Sequence, residues 1–358
     1  MKHAVFLSTG RDIHAAAVAH ALLRQSRSSV KVSIVDMDER SDKGGFTWSI
    51  GSAPGGAASV LVKDNAGAWV ALDDTDLIWC RRFTRAQRGG GDRRGFLTDQ
   101  WNAAGWSMAH LARATWIDAP RRIIDAENKA LQLRCAHDVG LRVPRTLVSQ
   151  DVECIRSFAE SEPDGIVVKP LRAAIDTQIY TVDLAPDRLD RPETVAAFPA
   201  IYQQKIGGDH HLRIVCLPEA VFTFTLTSRE LDWRRTRDVE IRRVDTDTVV
   251  AARCQALLRR LDLTMGVIDA KVFDDELYFL EVNPQGQFLF LEALTGVNLR
   301  NAYADYFWQS LTGQAPRLLA PACEGVERVV GGDHDVLDAI ELVGDRPVGD
   351  RRVEAGAP

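Results

Sequence analysis

Two β-rich runs, GVIDAKVF at 266–273 and ELYFLEVN at 276–283, stand two residues apart late in the chain. Runs this close leave no room for a crossover, so they must pair antiparallel as a hairpin. Side chains alternate along each strand. Ile268, Ala270 and Val272 take one face of the first run, and Val267, Asp269 and Lys271 take the other. On the second run, Tyr278, Leu280 and Val282 share a face, and Phe279, Glu281 and Asn283 share its opposite. With the apolar triplets on the core, Asp269, Lys271, Glu281 and Asn283 converge on a cleft. Directly opposed residues of an antiparallel pair point to the same side. Asp269 therefore opposes Glu281 only if the connecting loop has an odd number of residues. The expectation is a three-residue loop, 274–276, with a bulge near Asp274 and Asp275.

Two carboxylates and a carboxamide, with no His or Cys among them, form a hard oxygen donor set. Such donors suit Mg2+, which favours octahedral oxygen coordination and commonly bridges carboxylates to nucleotide phosphates. The other reading of the same residues is a solvated polar face on an edge hairpin.

At 358 residues the chain has room for about two or three domains. A hydrophobic content of 46% beside 26% charged residues lets each of them bury a core. The net charge of -6 disfavours a general nucleic-acid footprint, so any anionic partner must be met by a local basic site. Six cysteines lie far apart without a CxxC pair, which reads as reduced cytosolic cysteine, neither a disulfide framework nor a zinc site. The apolar run in MKHAVFLSTGRD is too short for a signal peptide, and no uninterrupted apolar stretch of about 18 residues occurs. A soluble cytoplasmic protein without a membrane span is expected.

Upstream, HAVFLS at 3–8, a helical pattern over 13–25 and VKVSIVD give a strand–helix–strand order. That order predicts an α/β unit with a parallel sheet. TGRD stands where a GxGxxG turn would be needed, which disfavours a dinucleotide site. Residues 76–83 read as a further strand, followed by a Gly/Arg-rich loop over 85–95. A helix is expected over 126–139, with Asp125 as N-cap and Gly140 and Pro144 as its stop. GIVVKP, IYTVDL, IYQQKI, HLRIVCL and AVFTFTLTS read as strands, the last two joined by a turn near Pro218 and Glu219. VVAARCQALLRRLDL carries the 3.6-residue period of an amphipathic helix. Residues 325–358 are polar and weakly patterned.

Asp269, then Glu281-x-Asn283 at a hairpin's end, resembles the metal-binding signature of the ATP-grasp ligases. Other segments agree in order. IDAENKALQLRCAHDVGLRVPRT at 124–146 is similar to the family's lysine-bearing helix with its Gly-x-x-x-Pro-x-Thr turn. VVKP carries the second lysine, IYQQKI is similar to the strand that hinges around adenine, and HLRIVCL to the strand bearing a catalytic arginine. Within that superfamily EVNPQGQF, the DWR at 232–234 and IWCRRF resemble the graspetide synthetases, macrocyclases of microviridin-type ribosomal peptides. The resemblance implies an α/β (α+β) chain with the ATP-grasp fold. Its N-terminal pre-ATP-grasp α/β domain would span 1–118, its central domain 119–200 and its C-terminal ATP-grasp domain 201–320, before a weakly patterned tail over 321–358. ATP would lie between the central and C-terminal domains.

The family reaction passes the γ-phosphoryl group of ATP to an Asp or Glu side chain of a precursor peptide. A Ser or Thr hydroxyl, or a Lys amine, then displaces phosphate and closes an ω-ester or ω-amide ring. Carried onto this sequence, the resemblance gives Mg2+ to Asp269, Glu281 and Asn283, and phosphate oxygens to Lys129 and Lys169. It gives the adenine edge to backbone groups of Gln203, Gln204, Lys205 and Ile206, and the ribose to Asp209. Arg213 would fork onto the transferring phosphoryl group or the acyl phosphate. Arg234 would be a second catalytic arginine; its segment SRELDWRRTRDVEIRR reads as a local basic site for an acidic core peptide or the acyl phosphate, or else as a mixed, solvated face. The sequence departs from the family at His211, where an acid is frequent, and in LRAAIDTQ, which lacks the glycines of many phosphate loops. The implied partner is a precursor peptide with a leader and an acidic core, and a homodimer is typical of the family. Two alternatives are a ligase adding a free amino acid to a peptide or small acid, and a non-catalytic protein that binds ATP and a leader peptide.

Overall fold

β1 (Lys2–Ser8) runs parallel to β2 (Val30–Asp36), and α1 (Ile13–Ser26) makes the crossover between them. Asp12 caps α1 by accepting the His14 N–H, and Ala15, Val18, Ala19 and Leu22 bury one helix face. The computed structural model describes residues 1–9, 12–37, 45–50, 59–82, 93–172, 180–185, 188–190, 192–236 and 239–315. A small antiparallel sheet that the sequence did not announce follows: β3 (Phe46–Ser49), β4 (Ser59–Lys63) and β5 (Trp69–Ala71). β6 (Leu77–Cys80) then rejoins the first sheet, α2 (Arg93–Leu111) follows, and β7 (Thr115–Ile117) completes a parallel sheet of order β2-β1-β6-β7. The strand expected over 76–83 is thus shorter, and residues 93–95 of the expected loop are helical. The rest of that loop, Phe83 and the tail over 321–358 lie outside the described residues.

The single helix expected over 126–139 is two. α3 (Pro120–Ala126) begins with Pro at its first turn, where the missing N–H costs nothing, and Asp125 lies inside it. α4 (Lys129–Asp138) is capped by Asn128, whose side chain accepts from Leu131 N–H at 3.0 Å. Gly140, at φ +82°, ends the run as expected. β8 (Thr146–Ser149), α5 (Val152–Glu160), β9 (Ile166–Lys169), β10 (Val182–Asp183), α6 (Pro192–Val195) and β11 (Ala200–Gln204) come next. Their four strands form an antiparallel sheet of order β10-β9-β11-β8, in which IYTVDL contributes only its Val-Asp pair.

The third large sheet is antiparallel, with order β14-β13-β12-β15-β16. It comprises β12 (His210–Cys216), β13 (Val221–Thr227), β14 (Glu240–Val244), β15 (Gly266–Phe273) and β16 (Glu276–Asn283). α7 (Thr248–Arg260) packs Cys254, Leu257 and Leu258 on one face, against Leu212, Ile214, Ile268, Ala270, Phe279 and Val282. The other face meets the first sheet through α8 (Leu289–Thr295) and α9 (Leu299–Thr312), in a core shared by Phe6, Trp79, Phe224, Val267, Phe288 and Phe307. Residues Met1–Arg317 form one compact unit.

The hairpin corrects the expected parity. Asp274 and Asp275 alone make the turn, at φ 53° and 58°, the left-handed pair that suits strand twist in a two-residue hairpin. Phe273 pairs with Glu276 and Ala270 with Phe279, so Asp269 would meet Leu280 in an unbroken ladder. The ladder shifts instead between Asp269 and Ala270, and Asp269 opposes Glu281. The bulge lies in the strand and not at the turn. It also moves Phe279 into the core beside Ala270, while Tyr278 and Leu280 are only half-buried.

Candidate functional site

β12, β15 and β16 lie side by side and bring Arg213, Asp269 and Glu281 into successive register. Arg213 Nη1 donates to both Asp269 oxygens, at 2.8 and 3.1 Å. Its Nη2 and Nε donate to the Gln287 carbonyl at 3.0 and 3.3 Å, and the rings of Trp233 and Phe290 flank the guanidinium. Asn283 Nδ2 donates to Asp269 Oδ2 at 2.8 Å. The two carboxylates and the carboxamide chosen from the sequence therefore meet. Among the described residues no group of three or more His, Cys, Asp or Glu could hold a metal, so this mixed set is the candidate.

Two lysines face the carboxylates from other elements. Lys129, at the first position of α4, puts Nζ 3.7 Å from Glu281 Oε2. Lys169 ends β9 and donates to Gln203 Oε1 at 2.8 Å, while Gln203 Nε2 donates to Thr146 Oγ1 at 2.9 Å. Burial, only partly offset by Glu281, lowers the Lys169 ammonium to about 8. Burial opposes ionisation of Glu281, but Lys129, Lys169 and Arg234 outweigh it and hold this acid below its usual range. Burial pushes Asp269 the other way, against the pull of Arg213, and the neighbouring Glu281 charge adds to the rise.

The remaining sequence candidates divide. Gln204 N–H donates to Arg145 O at 2.8 Å, Lys205 N–H to Gly165 O at 3.1 Å, and Ile206 O accepts Lys271 Nζ at 3.0 Å, so these three backbone groups are engaged within the protein. Asp209 is half-exposed beside His210. His211 is buried opposite Lys271, and its Nε2 has no hydrogen-bond partner among the described residues. Arg234 forks onto Asp232, with Nε 2.7 Å from Oδ1, and lies over the Tyr180 ring together with Arg235. That fork holds the Arg234 guanidinium charged, and Asp232 below its ordinary value despite burial. LRAAIDTQ lies outside the described residues beyond Leu171 and Arg172.

The sequence reading missed Gln132. This α4 residue is 2% exposed, and its carboxamide bonds both backbone groups of Val282, between Glu281 and Asn283. β16 is the edge of its sheet, so Gln132 supplies the partner that a sixth strand would have given. Its place at i+3 from Lys129 on one helix was the available signal.

No family model and no curated protein matches the sequence. Solved structures do match the fold. The macrocyclase MdnC from Microcystis aeruginosa MRC, solved bound with precursor peptide MdnA, aligns at TM-score 0.72 and 24% identity, over 84% of this chain and 98% of that one. A RiPP-associated ATP-grasp ligase from Chryseobacterium gregarium, in complex with ADP and a leader and core peptide, aligns at TM-score 0.75 and 20% identity, over 88% and 98%. D-alanyl-alanine synthetase A from Vibrio cholerae aligns more loosely, at TM-score 0.56 and 13% identity, over 87% and 98%. With its sheets in this order and carboxylates, amide and lysines gathered at one edge, the chain has the ATP-grasp fold.

Proposed function

We propose that the protein is an ATP-dependent ligase that closes rings in a ribosomally made precursor peptide. The observation that carries this reading is the meeting of Asp269, Glu281 and Asn283 opposite Lys129 and Lys169. Fold likeness to ligases solved with precursor, leader and core peptides supports the substrate class. In this reading the chain divides near residues 118 and 200, and nucleotide lies between the second and third large sheets.

The donor set fits Mg2+: two acids and an amide oxygen, with Asn283 turning its nitrogen to Asp269 and so freeing its oxygen for another partner. Held by these three residues, Mg2+ would offset the charge of the ATP phosphates. Lys129 and Lys169 hold phosphate oxygens, and an anionic phosphate beside Lys169 favours its ammonium form against the burial that lowers it. Arg213 holds Asp269 in register through Nη1 and is itself held by the Gln287 carbonyl, which leaves one Nη2 hydrogen for the activated carboxylate. The 203–206 segment borders adenine, Asp209 reaches the ribose, and Arg234 faces the acidic core peptide. Phosphoryl transfer from ATP to a side-chain carboxylate releases ADP. A hydroxyl or amine of the same peptide then attacks the acyl carbon, loses its proton and expels phosphate, so each ring costs the peptide one water. The working compartment is the cytoplasm.

Intact mass tests the reading directly. A leader-bearing precursor peptide incubated with the protein, ATP and Mg2+ is expected to lose one water mass per ring. A gain equal to an added amino acid, with that amino acid supplied, would replace ring closure by intermolecular ligation. Unchanged mass with no ATP consumed would overturn the enzyme reading.

A further inference from the structure

Asp12 and His14, where β1 gives way to α1, are tied to residues 285–289, which follow the strand that carries Glu281 and Asn283. Asp12 Oδ2 accepts Ser8 Oγ at 2.8 Å, and Asp12 Oδ1 lies 3.1 Å from His14 Nδ1. His14 Nε2 in turn lies 3.1 Å from Phe288 N and 3.3 Å from Leu289 N. Both backbone groups are donors, so Nε2 must be the unprotonated nitrogen and Nδ1 must carry the hydrogen given to Asp12. The imidazole is 3% exposed and meets the Phe288 ring edge-on at 4.8 Å. Arg81, at the end of β6, lies beside Asp12 and donates through Nη1 to Gln285 O. Gln285 Nε2 returns a bond to Cys80 O at 3.3 Å.

These contacts grip one short segment from the side of the first sheet. On its other side the same segment gives the Gln287 carbonyl to Arg213, the residue that fixes Asp269. Residues 284–289 therefore sit between the His14 and Arg81 anchors and the candidate metal site, and they begin directly after Asn283. We infer that His14, held by Asp12, is a positioning residue for the Mg–nucleotide site: it fixes the 284–289 segment so that the Gln287 carbonyl keeps Arg213 and Asp269 in register. This inference rests on the ATP–Mg2+ reading given above. His14 touches neither nucleotide nor peptide in it, and acts only through the segment.

The test compares the full chain with His14→Leu and His14→Gln. Leucine removes the acceptor, whereas glutamine can put an oxygen where Nε2 stands. Two quantities are read: hydrogen–deuterium exchange of a peptide spanning 284–290, and the dissociation constant for ADP in the presence of Mg2+. His14→Leu is expected to speed exchange and weaken Mg–ADP by about tenfold, the size of one lost hydrogen bond, with His14→Gln restoring both. Faster exchange with unchanged Mg–ADP affinity would overturn the inference, because the segment would then be held without positioning the site. Failure of the unaltered protein to bind Mg–ADP would instead overturn the nucleotide reading, and the inference with it. If His14→Leu does not fold, His14→Asn, whose oxygen falls short of the Nε2 position, takes its place against His14→Gln. Equal Mg–ADP affinity of those two would also overturn it.

Discussion

Gln132 and Val282 bond twice, Nε2 to the Val282 carbonyl at 2.8 Å and Val282 N–H to Oε1 at 2.9 Å. A third bond, Nε2 to Ala126 O at 2.7 Å, ties the same side chain to α3. One carboxamide thus sets the distance between the helix that carries Lys129 and the strand that carries Glu281 and Asn283. Gln132→Met keeps the volume but leaves buried backbone groups unpaired, so it is expected to cost about 1–3 kcal/mol. Gln132→Glu is expected to cost more, since it removes both donors and adds a charge beside Val282. Urea denaturation gives the order. Nucleotide affinity should fall with stability in both variants, and a fully stable Gln132→Met would contradict the assignment.

The three candidate metal residues are expected to separate when stability and turnover are measured together. Glu281→Gln and Asn283→Ala should each lower ATP turnover about a hundredfold or more while leaving the fold intact, the effect of losing a ligand that organises phosphoryl transfer. Asp269→Asn should lower turnover and also destabilise by about 3–5 kcal/mol, because Arg213 would keep its charge in a buried place with the Gln287 carbonyl but without an opposite charge. Near-normal turnover in the Glu281 and Asn283 variants would remove the metal assignment.

Gly286 is required by space and not by backbone angle. A Cβ there would sit 2.4 Å from Val267 Cβ and 3.2 Å from Asn283 O. Gly286→Ala must push the 284–289 segment away from β15, at a cost of about 1–3 kcal/mol as for other overpacked sites. Val267→Ala in the same chain removes the Cγ2 atom that also lies 2.5 Å away, and should recover part of the loss. Strictly additive destabilisation in the double variant would show that the two side chains do not compete for that space.

Much of the site was legible because alternation and strand ends are local properties. Lys169 closes a buried strand, and Asp269 and Glu281 were required to oppose one another, as they do. The means was not legible. A period of two assumes an unbroken ladder, and the shift beside Asp269 breaks it, which is why Phe279 was assigned to the wrong face. Asp125 and Asn128 are both capping residue types, and the choice between them turned on Pro120 starting an earlier helix. His14 and Phe288 lie 274 positions apart, and no local pattern reports such a contact. Gln132 reads as a surface residue on its helix until the strand edge beside it is known.

Two buried histidines set an acid limit on stability. Burial lowers His14 to about 4, assisted by Arg81 and Arg82 and opposed by Asp12. Burial also lowers His211 to about 4, with Lys271 adding to it. Unfolded, each takes a proton near its ordinary value of about 6.5. Between those values the unfolded chain binds more protons than the folded one, so unfolding becomes easier as the pH falls. The contribution of each histidine is complete above about 6.5 and is lost as the pH falls towards 4, by at most about 1.4 kcal/mol per pH unit. Urea denaturation between neutral and mildly acidic pH measures this slope. His14→Gln and His211→Gln should each flatten it by up to one proton relative to the unaltered protein, with the His14 comparison read above the ordinary carboxylate range because His14 itself helps to hold Asp12 low. An unchanged slope in either variant would mean that its histidine is already free to take a proton in the folded chain.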